Sequence, residues 1–279
     1  MRIFLRARKN RIFLFSLSAI LMLVSCSQNA LLESAKRDTD AALLFEAKKK
    51  MNSSLWTDAI TMIGRMSAAG QAERATKVTL ASAYAGRCGL DLIRLADQIS
   101  NSAGTNFFSL LGSSMRAATA PSVTDCIAAE TTLLAISSDP TALTADENMM
   151  LSFIGFSKIG AILAAYADLD DDGSADAGFD ACDTADIPEA MVRQFGTGIT
   201  LAIASLNASG SSIASDLGTA VTTACTTLAG VNPAYDFCAI TDPADFTADQ
   251  IKALGGLIHS TDNPGVGTCA GDLATCVCP

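Results

Sequence analysis

The stretch of this 279-residue chain richest in chemically useful side chains is Asp168-Leu169-Asp170-Asp171-Asp172-Gly173-Ser174-Ala175-Asp176. A hard cation such as calcium takes roughly six to eight oxygen ligands at about 2.3–2.6 Å, and alternating carboxylates on a tightly curled loop supply them. Asp168, Asp170 and Asp172 occupy the first, third and fifth places, and Gly173 in the sixth permits a sharp turn. Ser174 would offer its backbone carbonyl, and Asp176 would reach the ion directly or through water. Further along, Asp180 or Asp183 can bring additional oxygens. Carboxylates this close repel one another unless a cation stands among them. We therefore expect residues 168–186 to form a structural calcium site on Asp168, Asp170, Asp172, Ser174, Asp176 and Asp180. The alternative is an acidic, solvated linker between helices.

The loop resembles the DxDxDG calcium loops of EF-hands and of thrombospondin-type repeats. Its departure is at the twelfth place, where the EF-hand pattern has a bidentate Glu and this chain has Phe179. The run to the next helix is also longer than in an EF-hand.

Cysteine supplies the second body of chemistry. The N-terminal segment has a basic start (Arg2, Arg6, Arg8, Lys9, Arg11) and then an apolar run from Ile12 to Val24. That run is shorter than the roughly 20 residues a spanning helix wants, and the pattern is that of an export signal. It ends in Leu23-Val24-Ser25-Cys26, which resembles the lipobox of bacterial lipoproteins. The resemblance implies cleavage after residue 25, a covalent lipid on Cys26, and a lipidated tether over residues 26–38. Several acyl chains together give stable anchoring where one would be marginal. Ser27, in place of Asp, implies delivery to the outer membrane under the family's best-known sorting rule.

Of nine cysteines, eight remain beyond Cys26: Cys88, Cys126, Cys182, Cys225, Cys238, Cys269, Cys276 and Cys278. An even set in an exported chain reads as a disulfide framework, and eight cysteines allow about 105 pairings, so none is assigned. A metal cluster at Cys269, Cys276 and Cys278 is the rival reading, but the spacing contains no CxxC pair.

Charge narrows the partners. Removing residues 1–25 leaves 14 basic against 29 acidic residues, a net charge near −15. Phosphate binding needs clustered Lys and Arg, so nucleic acid is excluded as a partner. The membrane, through the lipid anchor, and other envelope proteins are the expected partners.

The elements that must position these groups read as helices. Apolar residues recur at helical spacing around Leu44 and Phe45, and again around Trp56, Ala59, Ile60 and Ile63. Gly70 is expected to separate this pair from a third helix over residues 77–86, and a fourth follows over residues 90–99. Ala47 and Ala81 stand 34 residues apart, and Leu80-Ala81-x-x-Tyr84 and Trp56-x-x-Ala59-Ile60 fit a helical hairpin with small residues at its crossing. Residues 39–100 resemble tetratricopeptide repeats, although the terminal proline is missing and Cys88 stands where a turn glycine is common. Further helices are expected over residues 107–118, 121–136 and 211–228. Capping signatures place others: Thr144-x-x-Glu147 before residues 145–167, Asp186-x-x-Glu189 before a helix to about residue 206, and Thr247-x-x-Gln250 before one ending near His259. No stretch alternates with period two. The fold class is therefore all-α, antiparallel hairpins stacked as a solenoid or an irregular bundle over residues 39–259, with a Cys-rich coil over 260–279.

No G-x-S-x-G, H-E-x-x-H or glycine-rich phosphate motif occurs, and the lone histidine, His259, sits near a helix end, where it is more commonly structural than catalytic. The expectation is not an enzyme but a lipid-anchored helical scaffold or binding module. A calcium-dependent surface adhesin is the first alternative and a cell-envelope hydrolase the second.

Overall fold

The computed structural model describes residues 38–95, 107–170, 172, 174–210, 214–261 and 265–279. Among them the architecture is all-helical, with no strand beyond a single parallel bridge between Ser260 and Cys269. Cys26, the signal segment, Asp171 and Gly173 lie outside the described residues, as do residues 96–99 of the fourth helix expected over residues 90–99, of which 92–95 are helical.

The principal helices are α1 (Asp40–Met51), α2 (Trp56–Gly64), the short α3 (Ala68–Ala72), α4 (Arg74–Cys88), α5 (Phe107–Ser114) and α6 (Ala120–Leu134). They are followed by α7 (Ala145–Tyr166), α8 (Glu189–Ser209), α9 (Ala214–Val231), α10 (Ala248–His259) and α11 (Leu273–Cys276). Two of the expected capping boxes form. Thr144 and Glu147 exchange backbone and side-chain hydrogen bonds at 2.8 and 3.3 Å to open α7. Thr247 and Gln250 do the same for α10 at 2.9 and 3.3 Å. The box expected at Asp186 does not form: Pro188 precedes α8, and the Asp186 carboxylate instead accepts from the Asp180 N–H at 2.8 Å. Gly70 does fall between α2 and α4 as expected, but within a short helix of its own. It lies inside α3, directly beneath the Asp40 carboxylate, which accepts from the Ser67 N–H at 2.7 Å. The chain turns at Gly89, whose φ of 110° ends α4 in the left-handed region that glycine adopts without a side-chain penalty.

Helix α7 is the axis of the molecule, in contact with α4, α5, α6 and α8. Its 22 residues are long and apolar enough to cross a membrane, but 72% of its most apolar window is buried by the other helices. The largest apolar cluster gathers Phe108, Ile159, Ile162, Phe195, Ile199 and Leu254, with Phe108 and Phe195 meeting edge to face at 4.9 Å. A second cluster joins α4, α6 and α7 through Ala81, Leu133 and Leu151, and a third joins α1, α2 and α4 through Leu43, Ala47, Ile63 and Ala83. Small residues let the axes approach. A Cβ at Gly155 of α7 would stand 2.8 Å from the Gly198 carbonyl oxygen of α8, and one at Gly86 of α4 would stand 2.7 Å from the Trp56 ring.

One charge lies at the centre of this packing. Lys158 of α7 has no exposed surface, and its ammonium donates to Glu130 at 2.6 Å, Thr197 at 2.8 Å and Gln194 at 3.1 Å. Burial pushes the lysine's pKa down, and the Glu130 charge opposes that shift. The second Glu130 oxygen has no protein partner.

Candidate functional site

The acidic loop leaves the end of α7 and returns to it. Asp168 donates its N–H to the Leu163 carbonyl at 3.0 Å, and Asp176 donates to the Ala167 carbonyl at 2.7 Å, so both ends of the loop are tied to the last turn of the central helix. Between them the carboxylates organise the backbone. Asp172 donates its N–H to Asp168 at 2.9 Å and to Asp170 at 3.2 Å, while Leu169 donates to Asp176 at 3.1 Å. Oxygens of Asp168, Asp170 and Asp176 converge to within 4.8 Å of one another, a spacing that one cation with metal–oxygen bonds of about 2.4 Å can bridge. Asp168 is buried and Asp170 is exposed.

The other expected ligands are placed differently. Asp172 is exposed and accepts from the Ser174 N–H at 2.8 Å, and Ser174 is itself exposed. Asp180 gathers instead with Cys182 and His259, accepting from the Cys182 N–H at 2.8 Å. Phe179, which occupies the place of the EF-hand's bidentate Glu, is buried in the main apolar cluster. The side chain that departs from the calcium pattern is therefore an anchor that fastens the far end of the loop to the core.

The cysteines resolve into four pairs at disulfide distance: Cys88–Cys126, Cys182–Cys278, Cys225–Cys238 and Cys269–Cys276. Their Cα–Cα separations, 5.1, 5.3, 6.1 and 5.8 Å respectively, fall in the range a disulfide spans. Cys88–Cys126 staples α4 to α6 inside the core, and Cys225–Cys238 ties α9 to the loop after it. Cys276 and Cys278 go to different partners, and the segment expected to be coil carries the short helix α11. Cys182–Cys278 joins the segment just beyond the acidic loop to the C-terminal tail.

Two hollows were not visible in the sequence. One, of about 380 Å³, lies between α1, α2, α4 and α7 and is lined by Met51, Trp56, Ala85, Leu90, Met150 and Phe153, with Asp146 at its edge. The other, of about 540 Å³, is lined by Asp180, Asp183, His259, Cys182 and the Cys269–Cys276 pair. Sequence reasoning left His259 as a helix-end residue. Its Nδ1 lies 3.7 Å from Asp180 Oδ1 and 3.7 Å from Cys182 Sγ, across 77 residues of sequence that offer no local signal.

Comparison with known proteins gives no match to a protein family, to a curated protein or to a solved structure.

Proposed function

We propose that the chain is an exported lipoprotein, held on a membrane through lipid on Cys26, whose helical body works as a binding module with a structural calcium site. The observation that carries this reading is the cysteine arithmetic. All eight cysteines beyond Cys26 stand in pairs, and the odd one is the residue that follows the signal-like segment. Disulfides persist in exported proteins and are rare where the thiol pool is reducing. The apolar hollow walled by Trp56, Met150 and Phe153 supports a binding role, because it offers a concave apolar contact surface. Calcium is supported by the convergence of Asp168, Asp170 and Asp176, and its role is bracing the loop. The outer membrane, and other envelope proteins as partners, complete the proposal.

Labelled palmitate fed to producing cells is the direct test. The wild-type chain is expected to take up label and lose residues 1–25, and Cys26→Ala to do neither; an unlabelled or uncleaved wild type removes the anchor. For calcium, the melting temperature of the purified soluble body is expected to rise at millimolar calcium, since an ion bound only by the folded state must stabilise it. The rise should disappear in Asp168→Asn with Asp170→Asn, and a flat wild-type titration would leave the loop as a solvated linker.

A further inference from the structure

The pair Cys182–Cys278 differs from the other three in its surroundings. Both of its residues are partly exposed, whereas Cys88 and Cys126 are buried, and Cys225 and Cys276 are the buried halves of theirs. Cys182 lines two hollows, and Cys278 lines the smaller of them. The larger is the 540 Å³ hollow that holds Asp180 and His259. The smaller, of about 240 Å³, is also lined by Val192, Arg193, Ile251 and Lys252.

Helix α10 positions most of this arrangement. Its last turn carries His259, the Lys252 carbonyl accepts from the Cys278 N–H at 3.3 Å, and Gly255 leaves the space that the Cys278 sulfur needs. A Cβ at Gly255 would come within 2.6 Å of that sulfur. Cys182 arrives from the segment after the acidic loop, with the His259 Nδ1 3.7 Å from its sulfur. Asp180, at the same nitrogen, orients the ring. Among the described residues, Cys182 is the cysteine whose sulfur has a recorded contact with the imidazole, although Cys269 and Cys276 line the same hollow as His259.

We propose that Cys182–Cys278 is a thiol–disulfide exchange site whose substrate is a dithiol. One thiolate of the substrate attacks Cys278 Sγ, and the bonding pair of the S–S bond leaves with Cys182 Sγ. The new Cys182 thiolate is left 3.7 Å from the His259 Nδ1, and a ring N–H that donates to the leaving sulfur speeds its departure. The second substrate thiolate then attacks its own sulfur in the mixed disulfide and releases Cys278. The substrate ends as a disulfide, both cysteines end as thiols, and two electrons and two protons have moved from one to the other. The proposal stands independently of the lipid anchor.

Limited reduction of the oxidised full chain tests it. Dithiothreitol is the probe, free thiols are alkylated at successive times, and the labelled cysteines are located by peptide mass. Cys182 and Cys278 are expected to open first, roughly tenfold faster than any other pair, and His259→Gln to remove most of that advantage without changing the other three. With 2-mercaptoethanol, which cannot complete the second step within one molecule, the trapped adduct is expected on Cys278 and the alkyl label on Cys182. A different pair opening first, a wild-type rate in His259→Gln, or an adduct on Cys182 would each overturn the assignment. Because His259 is partly exposed, the variant is expected to fold, and an unchanged melting curve checks that.

Discussion

Lys158 and Glu147 show what single side chains contribute here. Lys158 makes three hydrogen bonds in the core, so a change that strands its partner costs more than the pair itself contributes. Lys158→Met is expected to lower the unfolding free energy by about 3–5 kcal/mol, the range for removing one member of a buried pair, and Lys158→Met with Glu130→Leu to recover most of it. Chemical denaturation of the two variants checks this, and a double variant as weak as the single one would refute it. Glu147 holds Arg74 through two hydrogen bonds while completing the α7 capping box. The Arg74 guanidinium lowers the Glu147 pKa to about 2 against a desolvation penalty, and the Thr144 bonds help. Because the folded value is depressed, this group's stabilisation is present above its ordinary pKa of 4.5 and is lost as pH falls toward about 2. Denaturation midpoints taken from pH 5 to pH 2 are expected to fall less steeply in Glu147→Gln, which keeps the box and loses the charge. The two residues also mark what sequence can tell. The Thr144–Glu147 box was legible because its partners are three residues apart, whereas Lys158 passes for one polar residue in an apolar helix until α6 and α8 are packed against it.

At the scale of elements, the crossing of α7 and α8 depends on glycines that local propensity would discourage. An Ala in a helix interior is worth up to about 1 kcal/mol over Gly where there is room. There is none at Gly155, where the new Cβ would meet both the Gly198 carbonyl and Ala202. Gly155→Ala is expected to destabilise by about 1–3 kcal/mol through overpacking. Gly112→Ala on α5, whose nearest neighbour would be 3.8 Å away, should be neutral or stabilising. Equal midpoints for the two variants in urea would show that the α7–α8 contact is looser than described. The helices themselves were readable from apolar spacing and caps, with ends displaced by a few residues: α4 begins at Arg74, not Lys77, and α9 runs on to Val231, not Leu228. The error in capping fell where a side chain had a longer-range option. Asp186 turned back to Asp180 instead of capping α8.

For the whole molecule, composition and periodicity were enough to state an all-helical body, and the even set of eight cysteines beyond Cys26 was enough to expect a disulfide framework. Connectivity was beyond reach, since partners lie 38, 96, 13 and 7 residues apart and no local rule prefers one spacing. The candidate site was legible in part for the same reason. Asp168, Asp170 and Asp176 converge within one short loop, but Phe179 takes its place through burial, and His259 reaches Cys182 only because α10 lies beside the segment that follows the loop.

That 96-residue separation has a consequence for how the chain matures. On the export proposed above, Cys182 would be delivered well before Cys278, with Cys225 and Cys238 emerging in between. The earlier thiol therefore waits, partly exposed, among reactive strangers, and each premature bond it makes must later be reshuffled, on a timescale of roughly seconds to hours. If the chain is exported as proposed, its assembly calls for an isomerase or a suitable thiol buffer at the exit side of the membrane, and yield in a host lacking one is expected to be limited by scrambled linkages rather than by helix formation.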